Sequence, residues 1–153
     1  MEMTGNQQLL SYTKTGFLAS SHIDVSDVMA CYEWASRKPE PGCCVMSGFS
    51  SKMERDVLHF LLRAHTPVIW VLARRPYKEL PQDLQEAMDE NRLLIISSTE
   101  AQRQTKNSAY KRNEYIAETA DKLLFTGVNE DSSLYPLYNK YIKKTVRLKD
   151  VNV

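Results

Sequence analysis

The feature that most constrains this chain is the alternation of short, unbroken apolar runs with longer amphipathic segments. Pro67-Val68-Ile69-Trp70-Val71-Leu72-Ala73 and Leu93-Leu94-Ile95-Ile96 are continuous rather than alternating. That pattern belongs to strands covered on both faces, as in a parallel sheet. Between the runs, apolar residues recur at helical spacing: Val25, Val28, Met29 and Tyr32; then Met53, Val57, Leu61 and Ala64; then Leu84, Ala87 and Met88. Asp24 is placed to cap the first of these helices and Pro81 to open the third.

Read in order, Gly16–Ala19, Cys43–Met46, 67–73, 93–96 and Leu123–Phe125 are strands, with helices between them and a further helix around 108–120. A helix carrying Leu134, Leu137, Tyr138 and Tyr141 and a final Val146-Arg147-Leu148 run follow. Strand and helix alternate without an internal repeat, which predicts an α/β fold: a Rossmann-like, doubly wound, mostly parallel sheet with helices on both faces. Residues 1–13 carry no period and are expected as a loose N-terminal segment, with 14–153 a single domain.

Composition narrows the class. A chain with 42% hydrophobic and 25% charged residues is globular. Its apolar runs are too short for a signal peptide or a membrane span, so a cytoplasmic protein is expected. Three cysteines, two of them adjacent in a strand, read as core residues of a reducing compartment. The net charge of +1 excludes a broadly basic nucleic-acid binder, so any such role needs a local patch.

Ligands of doubly wound sheets sit at the carboxyl ends of strands. There the chain places Ser20-Ser21, then Ser47-Gly48-Phe49-Ser50-Ser51-Lys52, then Arg74-Arg75, then Ser97-Ser98 with Arg103 and Lys106, then Gly127 with Ser132-Ser133. Hydroxyls, a helix start and guanidinium groups suit a phosphate-bearing anion. The structural alternative is equally specific: Ser51-x-x-Glu54 is a capping box, which would commit Glu54 to backbone donors. Gly48 is open to two explanations, a left-handed turn or a ligand's close approach. The histidines His22, His59 and His65 lack metal-ligand spacing, and no G-x-S-x-G, P-loop or G-x-G-x-x-G motif is present, so no metal and no cofactor are expected.

"VMSGFSSKMERDVLHFLL", "PVIWVLAR" and "KRNEYIAETADKLLF" together resemble the Rossmann-like domain of the DprA/Smf DNA-processing proteins, over about residues 14–140. The wider superfamily also holds the LOG-type nucleotide phosphoribohydrolases. Ser47-Gly48 resembles that family's Ser-Gly-x-Ala-x-Gly-Ile-Asp loop, and Arg112-Asn113 with Ile116-Ala117 and Asp121 resembles its Arg-Asn-Arg-x-Ile-Ala-Gly-x-Ser-Asp segment. Ser132-Ser133-Leu134 stands where the family has Ser-Gly-Ser-Leu. The chain departs from the pattern at Glu114, at Ser51–Glu54, and at Ala19-Ser20-Ser21, which replaces Gly-Ser-Arg.

The clustering of small and basic residues after successive strands, with the pocket position the resemblance implies, predicts a non-catalytic domain that binds a nucleotide or single-stranded nucleic acid through Ser20, Ser47, Gly48, Phe49, Ser50, Ser51, Lys52, Arg74, Arg112, Asn113 and Ser132. An enzyme cleaving a nucleotide N-glycosidic bond, with Glu54 or Glu130 as acid, is one alternative. A scaffold that self-associates, as a homodimer, through the tyrosine-rich helix from Leu134 to Tyr141 is another.

Overall fold

The computed structural model describes residues 1–148; the last five residues of the domain expected from the sequence lie outside the described residues. Seven strands form one sheet: β1 (Glu2–Gly5), β2 (Thr13–Ala19), β3 (Cys43–Ser47), β4 (Val68–Leu72), β5 (Leu93–Ser97), β6 (Lys122–Thr126) and β7 (Thr145–Val146). Among the described residues five helices accompany them: α1 (Val25–Ala35), α2 (Lys52–Arg63), α3 (Gln82–Asp89), α4 (Lys106–Thr119) and α5 (Tyr135–Lys140). The strand order is β1-β5-β4-β3-β2-β6-β7, parallel throughout except where β1 runs antiparallel to β5.

From β2 the chain winds outward to β5, then returns through α4 to lay β6 on the other side of β2. The order therefore reverses between β2 and β6, where a doubly wound sheet opens a crevice at its carboxyl edge.

The two faces are packed differently. α1, α2 and α3 cover one, where Val57, Leu61, Val68, Leu93 and Leu124 are buried together. α4, α5 and Leu9 cover the other, over Met46, Ile69, Leu94 and Leu123. Each such side chain contributes roughly 1.5–3 kcal/mol when removed from water. Burial pushes the Cys31 thiol up to about 11 and the Cys44 thiol up to about 12, in keeping with core positions.

Residues 1–13, expected to be loose, instead supply an edge strand and a short 3-10 turn, Gln7–Ser11, whose Leu9 is fully buried. The strand shows no sequence period because three of its four residues, Glu2, Thr4 and Gly5, are exposed and its hold on β5 is mainly backbone pairing. Ala64, assigned by spacing to the apolar face of α2, is the residue that ends the helix. Among the described residues no helix is long and apolar enough to cross a membrane.

Candidate anion site at the strand-end crevice

A cavity of about 650 Å³ opens where the strand order reverses. Its wall is built from the loops after β2 and β6, the turn into α2, and the face of α4 that presents Arg112 and Asn113. Of the residues expected from the sequence, it gathers Ser20, Ser50, Ser51, Arg112, Asn113 and Ser132.

The turn into α2 is already occupied by the protein itself. Ser51 Oγ accepts the Glu54 amide at 3.3 Å, while Glu54 Oε1 accepts the amides of Ser50 (2.9 Å) and Ser51 (3.2 Å). The other carboxylate oxygen accepts the Ala19 amide at 3.0 Å, tying the end of β2 to the start of α2. Glu54 is thus the anion at this helix N-terminus, buried to 4% exposure. The capping-box alternative describes this geometry, and both oxygens of the residue considered as a glycosidic acid are engaged with backbone. Glu130, the other candidate acid, does not line the cavity.

Arg112 is the cation of the site. It is 4% exposed, held by a hydrogen bond from Nε to Asn113 Oδ1 (3.1 Å) and one from Nη1 to Gln104 Oε1 (3.0 Å). Nη2 makes no hydrogen bond among the described residues, and no ion pair among them involves this guanidinium. Burial pulls the Arg112 guanidinium below its usual pKa, with the charge of Glu54 acting in the opposite sense. Arginine remains charged in this environment. A buried positive charge with only neutral hydrogen-bond partners thus faces an open cavity.

Gly48 owes its identity to this arginine. The left-handed residue of the turn is Phe49, with φ 44°, so the positive-φ explanation for Gly48 is not the one realised. A Cβ at position 48 would lie 2.5 Å from Arg112 Nε and 2.6 Å from Cζ. The glycine is needed because the guanidinium lies directly against the backbone.

The other expected residues are elsewhere. Ser47 is fully buried and its hydroxyl accepts the Phe49 amide at 3.2 Å; Phe49 itself is a core residue at 4% exposure. Lys52 points to solvent and pairs with Asp56 at 2.9 Å. Arg74 lies over the ring of Tyr77, 4.0 Å from its centroid, outside the cavity wall. Within the cavity, the Ser20 hydroxyl donates to Gly127 O (2.5 Å), joining the β2 and β6 loops, and Ser132 Oγ accepts the Leu134 amide at 3.2 Å. On the tyrosine-rich helix, Leu134 and Leu137 are buried and Tyr138 meets Phe125 edge-on at 5.5 Å.

Sequence reasoning missed Gln104. Its side chain bridges the site, donating from Nε2 to Ser50 Oγ at 3.2 Å while accepting from Arg112. A glutamine in a polar loop carries no local signal of such a role. The burial of Arg112 did leave one: it precedes Ile116 by four residues and so shares the inward face of α4.

Strand order and crevice define a doubly wound Rossmann-like domain. Within that class the fold is DprA-like: it matches DNA processing protein A (DprA) of Streptococcus pneumoniae with a TM-score of 0.74 at 14% identity, and DprA of Helicobacter pylori with 0.72 at 18%. Each superposition covers 95% of this chain, but 53% of the first protein and 69% of the second, so the chain spans about half the length of the Streptococcus protein. The Helicobacter protein binds single-stranded DNA. No family model matches the sequence, and no curated protein matches it.

Proposed function

We propose that this chain is a non-catalytic, DprA-like domain with a role in DNA processing, binding single-stranded DNA through a phosphate held in the cavity at Arg112. The observation that carries the reading is Arg112, a residue only 4% exposed, whose guanidinium is hydrogen-bonded only to neutral groups and borders the cavity. A buried charge left in that condition is costly, and an oxyanion that accepts from Nη2 compensates it. Asn113 fixes the plane of the fork through Nε, and its own Nδ2 is available to a second oxygen. Ser50, Ser132 and Ser133 supply hydroxyls around the same space.

The anion seat is therefore displaced from the position first expected. Glu54 fills the start of α2, so phosphate belongs toward α4 and the β6 loop rather than against Lys52. DNA is favoured over a free nucleotide by the single-stranded DNA binding of the Helicobacter neighbour.

Fluorescence anisotropy with a labelled oligothymidylate tests the reading. Arg112→Lys keeps the charge and loses the planar fork, and it should weaken binding about tenfold or more, as loss of a hydrogen bond to a charged group does. Unchanged affinity for a variant with a native melting temperature rejects the cavity as the site. Incubation with nucleoside monophosphates separates the enzymatic alternative: release of free base would overturn a non-catalytic domain.

A further inference from the structure

On the far side of Gly48 from Arg112 a ladder of planar groups leaves the sheet rim. The Trp70 indole donates from Nε1 to the Gly48 carbonyl at 3.0 Å. Tyr77, in the loop after β4, stacks on that indole with centroids 5.8 Å apart and an interplanar angle of 22°. The Arg74 guanidinium sits 4.0 Å from the Tyr77 ring centroid, steadied by its Nε donating to Arg75 O at 2.9 Å. Tyr77 is nevertheless 46% exposed, and its hydroxyl makes no hydrogen bond among the described residues.

Trp70 packs against the α1–α3 face of the sheet, whereas Arg112 comes from α4 on the opposite face. Gly48 is the wall they share: its Cα faces the guanidinium and its carbonyl oxygen faces the indole. A ligand touching both the cavity and Tyr77 must cross the rim of the sheet. A chain of nucleotides can do so, whereas a mononucleotide held at Arg112 has a single base on one side.

We propose that Tyr77, backed by Trp70 and overlaid by the Arg74 guanidinium, forms with that guanidinium a stacking platform for an unpaired base of a single strand whose phosphate lies at Arg112. The proposal rests on the nucleic-acid reading of the cavity and adds a second point of contact with its own chemistry. A tyrosine face is tolerant of base identity, and an adjacent guanidinium both extends the π surface and offsets phosphate charge.

The test compares labelled dT8 with thymidine 5′-monophosphate on the wild type, Tyr77→Ala, Tyr77→Phe and Arg112→Lys. Tyr77→Ala should weaken dT8 about tenfold, the scale of one lost base–aromatic stack, and leave the mononucleotide unaffected. Tyr77→Phe should bind as the wild type does, since the ring rather than the hydroxyl is used. A single abasic position in dT8 should weaken the wild type and cause no further loss in Tyr77→Ala. If Tyr77→Ala binds dT8 normally while Arg112→Lys does not, the platform is overturned and the cavity reading stands. If Tyr77→Ala weakens both ligands equally, the ring acts through the cavity and the platform is overturned. If the wild type binds neither ligand, both readings fall.

Discussion

Arg112 and Gly48 occupy adjoining space so closely that a Cβ on residue 48 would fall 2.5 Å from Arg112 Nε. Because the arginine is buried, it cannot swing away at low cost. Gly48→Ala should destabilise the fold by about 1–3 kcal/mol, the usual cost of overpacking, and weaken oligonucleotide binding at the same time. Chemical denaturation and anisotropy on one preparation would check both. A variant with native stability and native affinity would contradict the packing described.

Glu54 satisfies three backbone amides from two segments of chain. Glu54→Ala orphans all three and should cost about 3 kcal/mol, whereas Ser51→Ala, which removes one cap acceptor, should cost about 1 kcal/mol. The ordering is the prediction, read from urea midpoints. Equal losses would mean that Glu54 acts only as a local cap.

Asp121 gives a pH dependence with a definite sign. Its carboxylate accepts the Lys14 amide at 2.7 Å and lies 3.6 Å from the Lys14 ammonium. That backbone hydrogen bond first, and the Lys14 charge with it, hold the carboxyl below the usual aspartate range. A depressed folded pKa contributes stability that is complete above the ordinary value and is lost as pH falls through the depressed one. The wild type should therefore lose stability more steeply than Asp121→Asn below about pH 4. The side chain is 54% exposed, so solvent screening limits the difference at neutral pH to about 1 kcal/mol. Melting temperatures of the two proteins across an acid series would show converging curves.

Salt should weaken DNA binding only gently. With Arg112 in the cavity and Arg74 at the rim, about two phosphates are neutralised, giving a log–log slope of about −1.4 for a single strand. A slope several times steeper would place the DNA on a wider surface than this cavity.

Strands buried on both faces announced themselves as continuous apolar runs, so β2 to β6 and the helices between them were legible. The four residues of β1 were not, because an exposed edge strand paired through its backbone has no apolar period to read. Ser51 and Glu54 were legible as a cap because that interaction is local. The second capping box, Thr105 with Ser108, lacks the Glu or Gln that marks the motif. Ser47, Phe49, Lys52 and Arg74 share the composition of a phosphate loop, but residue type does not fix direction: two point into the core, one to solvent, one onto an aromatic ring. Gln104 depended on contacts far along the chain and left no trace.

At the carboxyl end of α4, the Lys144 ammonium donates to the carbonyls of Ala117 (2.6 Å), Glu118 (3.0 Å) and Ala120 (2.8 Å). The same helix carries Arg112 and Asn113 at its middle. The tail of the domain is therefore a bolt on the rod that aims the guanidinium. Loosening it at Lys144 should shift that aim from a distance and lower the proposed affinity for an anion through a residue that never meets it.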